Sequence, residues 1–164
     1  MPKDNPQFQF VCHTLADTQD LAVTVGKVVK GGDILEFTSD LGGGKTAFVK
    51  GMAKGMGVMD VVQSPTFMIS IVHVADRGLE LHHFDFYRLH EAGIMSAELM
   101  ESLQQINAVT AVEWGDVVHD VLPPYRMSID ITVPSEETRV IRFKNVPPHI
   151  AKALSEYQRN HHIA

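Results

Sequence analysis

Apolar positions change period along the chain, and each change marks a boundary between elements. Phe8 to Val11 reads as a short strand, and Ala16 to Val29 follows with apolar residues at helical spacing. Asp17 or Thr18 is the expected helix cap, and Gly31-Gly32 ends the segment. The run Ile34-Leu35-Glu36-Phe37-Thr38 has the continuous apolar character of a buried strand. Ala47 to Met56 returns to helical spacing, with Gly55 and Gly57 breaking the pattern at its end.

The second half alternates more strongly. Ser64-Pro65-Thr66 opens an extended segment. Phe67 to Val74 and Leu79 to Phe84 flank Ala75-Asp76-Arg77-Gly78, which predicts a hairpin. Gly93 to Ile106 reads as a helix, Ala108 to Val112 as a short buried strand, and Gly115 to Val121 as helical. After a turn at Pro123-Pro124, Tyr125 to Val133 and Arg139 to Phe143 predict a second hairpin. Residues 148–164 read as a polar helix that frays at the periphery. With no repeats and no linker, residues 1–164 are expected to form one domain.

The segment Ser39-Asp40-Leu41-Gly42-Gly43-Gly44-Lys45-Thr46 joins the apolar strand to the following helix. Strand, glycine loop and helix in that order are the context a P-loop requires. Glycines let backbone N–H groups turn inward around an anion, and the helix N-terminus adds unpaired donors and a partial positive charge. Lys45 is then placed to meet the β- and γ-phosphates, and the Thr46 hydroxyl to ligate Mg²⁺. The pattern implies a bound nucleoside triphosphate. Its one departure is Ser39, where the motif begins with glycine, and a serine lacks glycine's freedom at positive φ.

Composition narrows what surrounds that loop. The chain has 164 residues, ordinary hydrophobic content of 45% and a formal net charge of −6. That acidic balance gives no electrostatic footprint for RNA or DNA, so a nucleic-acid pathway is expected to be reached through a protein partner. The lone Cys12 cannot form an internal disulfide, no apolar stretch reaches membrane-spanning length, and Met1 to Pro6 lacks a signal peptide's apolar segment. A cytoplasmic protein with no membrane or DNA contact is the expectation.

A nucleotide hydrolase also needs carboxylates for Mg²⁺ and a group that positions the attacking water. Asp85 ends the run from Leu79 to Phe84, and Glu113 ends the run from Ala108 to Val112. Strand ends are where an open α/β sheet carries its functional groups. One of the two is expected to contact Mg²⁺ and the other to orient water; a solvated strand-end carboxylate is the plain alternative for each. Thr66 lies where a switch loop approaches a γ-phosphate. Trp114, the only tryptophan, either lies near the nucleotide or fills core, core being the commoner place for an aromatic. His82 and His83 are adjacent on a strand, point to opposite faces and cannot jointly ligate one ion.

The succession Gly42-Gly43-Gly44-Lys45-Thr46, Ser64-Pro65-Thr66-Phe67, His83-Phe84-Asp85-Phe86-Tyr87-Arg88-Leu89 and Glu113-Trp114 resembles the TsaE (YjeE) family from about Ala16 to Phe143. These are small bacterial P-loop ATPases required for threonylcarbamoyladenosine in tRNA. The resemblance implies a P-loop NTPase-like three-layer α/β fold, a central mixed sheet flanked by helices. It implies ATP and Mg²⁺ as cofactors, and a TsaB–TsaD-type complex as partner, with tRNA met only through that complex. It places Asp40, Leu41, Gly42, Gly43, Gly44, Lys45, Thr46 and Ala47 around the triphosphate. Thr46 and Glu113 fall on the Mg²⁺ ligands, Asp85 at the reacting and metal end, Thr66 on a switch-like threonine, and Thr18 and Arg139 near the nucleotide. Lys45, Asp85 and Glu113 are the implied catalytic residues. Ser39, and Ala47 in place of a common second threonine, depart from the family pattern.

Two other readings remain open from the residues. A small-molecule kinase on a P-loop scaffold needs an arginine-rich lid, and the six arginines here do not cluster. A non-catalytic nucleotide-dependent binding module needs only the phosphate cradle, and the additional carboxylates argue against it. ATP is favoured over GTP by the resemblance alone, and no Asn-Lys-x-Asp guanine signature occurs.

Overall fold

The computed structural model describes residues 7–39, 44–60, 62, 69–89 and 93–161. Its strands are β1 (Phe8–Cys12), β2 (Ile34–Thr38), β3 (Ser70–Val74), β4 (Glu80–Asp85), β5 (Ala108–Glu113), β6 (Met127–Thr132) and β7 (Arg139–Lys144). The helices are α1 (Leu15–Gly26), α2 (Lys45–Met56), α3 (Ile94–Gln104) and α4 (Pro148–His161), with a single 3₁₀ turn at Gly115–Val118.

The strands form one sheet in the order β1-β7-β6-β2-β5-β4-β3. β6, β2, β5 and β4 run parallel, and the antiparallel β3, β7 and β1 extend the two sides. All six residues of β5 are buried, as a strand covered on both faces must be. Alternation along the strands divides the core in two. Leu35, Phe37, Leu81, Val109, Ala111, Ile129 and Phe143 pack with α1, α2 and α4. Ile34, Phe84 and Val112 pack with Leu99 of α3 on the opposite face. This is the expected α/β fold with a mixed sheet between helical layers.

The helix ends differ from the sequence expectation in instructive ways. Thr14, not Asp17 or Thr18, caps α1: its hydroxyl accepts from Asp17 N at 3.1 Å, and the Asp17 carboxylate accepts from Thr14 N at 3.1 Å. Asp17 is therefore the returning acid of a capping box, and Thr18 is free to face inward. α1 stops at Gly26 rather than Val29. A Cβ on Gly26 would lie 2.0 Å from the carbonyl oxygen of Met52, and one on Gly55 would lie 2.3 Å from that of Val23. These glycines let α1 and α2 approach backbone to backbone. Gly55 is thus inside α2 as a packing residue, and Gly57, at φ +82°, ends the helix.

The first hairpin forms as β3 and β4, with the turn at Ala75–Gly78; its proposed start at Phe67 lies outside the described residues. The second forms as β6 and β7. The helix expected over Gly115 to Val121 shortens to the 3₁₀ turn, because the chain enters it through Trp114 at φ 57°. α4 is anchored rather than frayed: Ile150, Leu154 and Tyr157 are buried, and the Tyr157 ring packs edge-on to Phe10. The wide spacing of apolar residues among polar ones concealed that stripe.

Candidate functional site

β2, β4 and β5 run parallel and end at one edge of the sheet, which brings Thr38, Asp85 and Glu113 to the same side. Asp85 is in register with Glu113, and Glu113 with Phe37. Parity places Asp85 and Glu113 on the face covered by α2. Both are almost fully buried. The carboxylates chosen for ending apolar strands are thus neighbours, beside the strand that leads into the glycine loop.

α2 begins at Lys45, immediately after Gly44 at φ +95°, a left-handed conformation that glycine adopts without strain. Lys45 is 6% exposed. Its Nζ donates to the Ser39 carbonyl at 3.3 Å and lies 3.9 Å from the centre of the Trp114 ring. Trp114 packs on the α3-side core, the commoner place for an aromatic, and its ring also covers the lysine. Its ring meets Tyr87 at 4.9 Å. A cation held over an indole face in a partly desolvated setting is worth about 0.5–2 kcal/mol. Thr46 follows, half-buried in the first turn of α2. Asp40, Leu41, Gly42, Gly43 and Thr66 lie outside the described residues.

Two cavities meet the start of α2. The smaller, about 130 Å³, lies between Ser39, Lys45, Trp114 and the 3₁₀ turn. The larger, about 380 Å³, is lined by Thr14, Leu15 and Thr18 of α1 and by Gly44 and Ala47. Its other wall is Arg139 with Glu136 and Glu137 from the β6–β7 loop. Thr18, Gly44, Ala47 and Arg139, widely separated in sequence, thus share one cavity next to the helix N-terminus. Thr18 is buried, and among the described residues its hydroxyl has no nitrogen or oxygen partner, only the Cys12 thiol beside it. Burial raises that thiol to about 11, so Cys12 stays neutral and unreactive.

The sequence did not reveal how Glu113 is held. His83 Nε2 lies 2.5 Å from Glu113 Oε2, with both side chains buried. An ionised Glu113 only accepts, so the ring proton sits on Nε2. Asp85 Oδ1 accepts from Tyr87 N at 3.0 Å, which fixes the carboxylate at the strand end. His83 and Glu113 have the right parity for neighbouring parallel strands, but pairing β4 with β5 requires the fold. A second network was likewise missed: on the opposite face His82 bonds Ser102 at 2.8 Å and Glu80 at 3.0 Å, and Ser102 bonds Thr110 at 2.9 Å. None of the cavities described here opens onto it, and it joins β4, β5 and α3 inside the core. His82 and His83 thus point to opposite faces, as strand geometry requires.

Among the described residues no group of three or more acidic, histidine or cysteine side chains gathers as a metal cage. Mg²⁺ needs none, since it keeps several waters and is held by one or two carboxylates together with substrate phosphates. Thr46, Asp85 and Glu113 supply hard oxygen donors of that kind.

The model of the TsaE family, described as threonylcarbamoyl adenosine biosynthesis protein TsaE, matches residues 12–141. The tRNA threonylcarbamoyladenosine biosynthesis protein TsaE of Bacillus subtilis is 34% identical over 149 residues, covering 90% of this chain and 92% of its own. That of Treponema pallidum is 31% identical over 131 residues, covering 80% and 96%. The crystal structure of YdiB from Bacillus subtilis superposes with a TM-score of 0.72 at 28% identity, covering 94% of this chain and 95% of that one. The match of family model, relatives and fold extends over the strand ends and both walls of the larger cavity, and the chain belongs to the TsaE family.

Proposed function

We propose that this protein binds ATP with Mg²⁺ at the N-terminus of α2, hydrolyses it, and thereby supports tRNA threonylcarbamoyladenosine formation with a TsaB–TsaD-type complex. Family membership supports the role in threonylcarbamoyladenosine biosynthesis. The observation that carries the nucleotide reading is that Lys45 opens α2 directly after Gly44, with its Nζ at the Ser39 carbonyl just beyond β2, while Asp85 and Glu113 end the parallel strands β4 and β5 in register.

In this reading the N–H groups at the start of α2 and the Lys45 ammonium bind the phosphates. Lys45 leaves the Ser39 carbonyl and the Trp114 face to do so, and it stays within reach because its backbone is fixed in the helix. Thr46 and Glu113 hold Mg²⁺, which neutralises charge on the phosphates when bound. His83 holds Glu113 in place, so the carboxylate presents its remaining lone pairs without reorganising. Asp85, tethered by Tyr87 N, orients the attacking water. The larger cavity takes the nucleoside, with Thr18 and Arg139 on opposite walls.

The acidic net charge of −6 favours a protein partner over direct capture of tRNA. No helix among the described residues is long and apolar enough to cross a membrane, in keeping with a cytoplasmic place of action. Phosphate release from ATP, measured with and without a TsaB–TsaD pair, tests the proposal. Stimulation by the pair is expected, and loss of turnover on removing Mg²⁺ is expected in both conditions. Turnover that ignores both additions would contradict it.

A further inference from the structure

Trp114 leaves β5 at φ 57°, in the left-handed region that is unusual for a bulky side chain, and its ring covers the Lys45 ammonium at 3.9 Å. What constrains that turn lies one residue on. A Cβ on Gly115 would stand 2.6 Å from Glu36 Oε2 and 3.2 Å from Leu122 Cδ1, so the Glu36 side chain packs directly against the Gly115 backbone. Glu36 sits in the middle of β2, and Arg126, the residue before β6, donates from Nε to its Oε1 at 3.0 Å. The two side chains are only 15% and 17% exposed. The other guanidinium nitrogens reach further along the segment that follows Trp114. Nη1 donates to the Pro123 carbonyl at 3.0 Å, and Nη2 lies 3.5 Å from His119 Nδ1. One ion pair therefore holds residues 115–123 at their start, middle and end. Glu36, Trp114, Gly115, His119 and Lys45 all line the 130 Å³ cavity, so the clamp and the covered lysine border one space.

Resting on the nucleotide reading above, we propose that Glu36 and Arg126 are positioning residues: they hold Trp114 as the resting cover of Lys45 and so set how readily that lysine is released to a triphosphate. Backbone strain of the kind at Trp114 persists only where the surroundings over-determine the conformation. The pair supplies that constraint, because a planar guanidinium with three nitrogens on three partners has one arrangement, which a single ammonium cannot reproduce. The indole face and the phosphates then compete for the same cation. A ligand that must first displace a contact binds more weakly by the share of molecules in which the contact is made. Loosening the clamp therefore favours the triphosphate, although neither Glu36 nor Arg126 touches it.

Tryptophan fluorescence and calorimetric titration with ATP and Mg²⁺, both on the full chain, test the proposal, since Trp114 is the only tryptophan. The variants are Glu36→Gln and Arg126→Lys, with Arg77→Ala as the control. Arg77 donates to the carbonyls of Gly26 and Lys27 at the opposite end of the strands, so its loss weakens the fold without touching the clamp. Wild type is expected to change its Trp114 emission when ATP binds, as the ammonium leaves the ring. Glu36→Gln and Arg126→Lys should each move the resting emission to longer wavelength. Each should also bind ATP roughly two- to thirtyfold more tightly than wild type, the range set by freeing a cation from an indole face. Arg77→Ala should match wild type in both readouts. Arg126→Lys keeps the charge, so it carries the test if Glu36→Gln does not fold. Unchanged resting emission in the folded variants overturns the inference, as does a shifted emission with ATP affinity equal to wild type or weaker. An equal shift in Arg77→Ala overturns it too, by assigning the effect to lost stability. ATP binding to wild type that leaves Trp114 emission unchanged overturns it with the nucleotide reading intact, and a wild type that binds no triphosphate removes that reading itself.

Discussion

His83 Nε2 and Glu113 Oε2 meet at 2.5 Å across two parallel strands, both buried at the edge of the sheet where β2 leads toward α2. Burying a carboxylate is costly unless it is hydrogen-bonded. The histidine gives the Glu113 Oε2 atom a partner inside the protein. A group that would hold a metal is thereby pre-positioned by a neighbour two residues before Asp85.

Removing the ring should leave the Glu113 carboxylate short of a donor. His83→Ala is expected to destabilise the fold by about 1–3 kcal/mol, the usual cost of an unsatisfied buried polar group. Glu113→Gln removes the charge that makes the loss expensive. Urea unfolding of both single variants and the double should therefore show coupling of about 0.5–3 kcal/mol. Strict additivity would show that the two side chains do not depend on each other.

A clasp at the opposite end of the strands offers a second test. Arg77, in the β3–β4 turn at φ 63°, donates to the carbonyls of Lys27 at 2.9 Å and Gly26 at 3.0 Å, satisfying the end of α1. Asp76 N bonds the Met56 carbonyl at the end of α2 at 2.9 Å. Arg77→Ala should cost about 1.5–3 kcal/mol in unfolding free energy, the range for charge-assisted hydrogen bonds. Arg77→Gly should cost about 1 kcal/mol less than the alanine, because glycine adopts positive φ without strain. Equal losses in the two variants would separate the stability effect from the backbone conformation.

The parts of the fold that the sequence displayed were those in which local chemistry agrees with the tertiary structure. The apolar run from Ile34 to Thr38, the glycine turn at Gly78 and the apolar stretch ending at Glu113 each specify their element without help. Contacts between distant segments were not legible. The partnership of His83 with Glu113 depends on β4 lying beside β5. The cap at Thr14 was displaced onto its neighbours because Asp17 and Thr18 are also good capping types. Gly26 and Gly55 look like helix breakers until α1 and α2 are placed in contact. Thr18 and Arg139, which the resemblance implies near a nucleotide, line the larger cavity together, whereas Glu136 and Glu137 in its lining carry no local signal.

His73 gives the protein a pH-dependent term. Burial, with the neighbouring His83 as a further cause, lowers its pKa below the ordinary value of 6.5, against a smaller opposing effect of Asp60. Below about pH 6.5 the unfolded chain takes up a proton that the folded state resists, so this contribution to stability is present at neutral pH and is lost as pH falls. Urea midpoints should drop from pH 7.5 to 5.5, and the drop should be smaller in His73→Leu. An identical drop in the variant would assign the acid sensitivity to other groups.

The central claim is a triphosphate site built on Lys45, and calorimetric titration of wild type and Lys45→Ala with ATP and Mg²⁺ tests it most directly. Lys45 ends over Trp114 and the Ser39 carbonyl, so its removal takes away a charge at the start of α2 without opening the main core. The account predicts saturable 1:1 binding to wild type, and at least about tenfold weaker binding in the variant, a loss of about 1.4 kcal/mol or more. Equal affinity in the two proteins, with both folded, would contradict it.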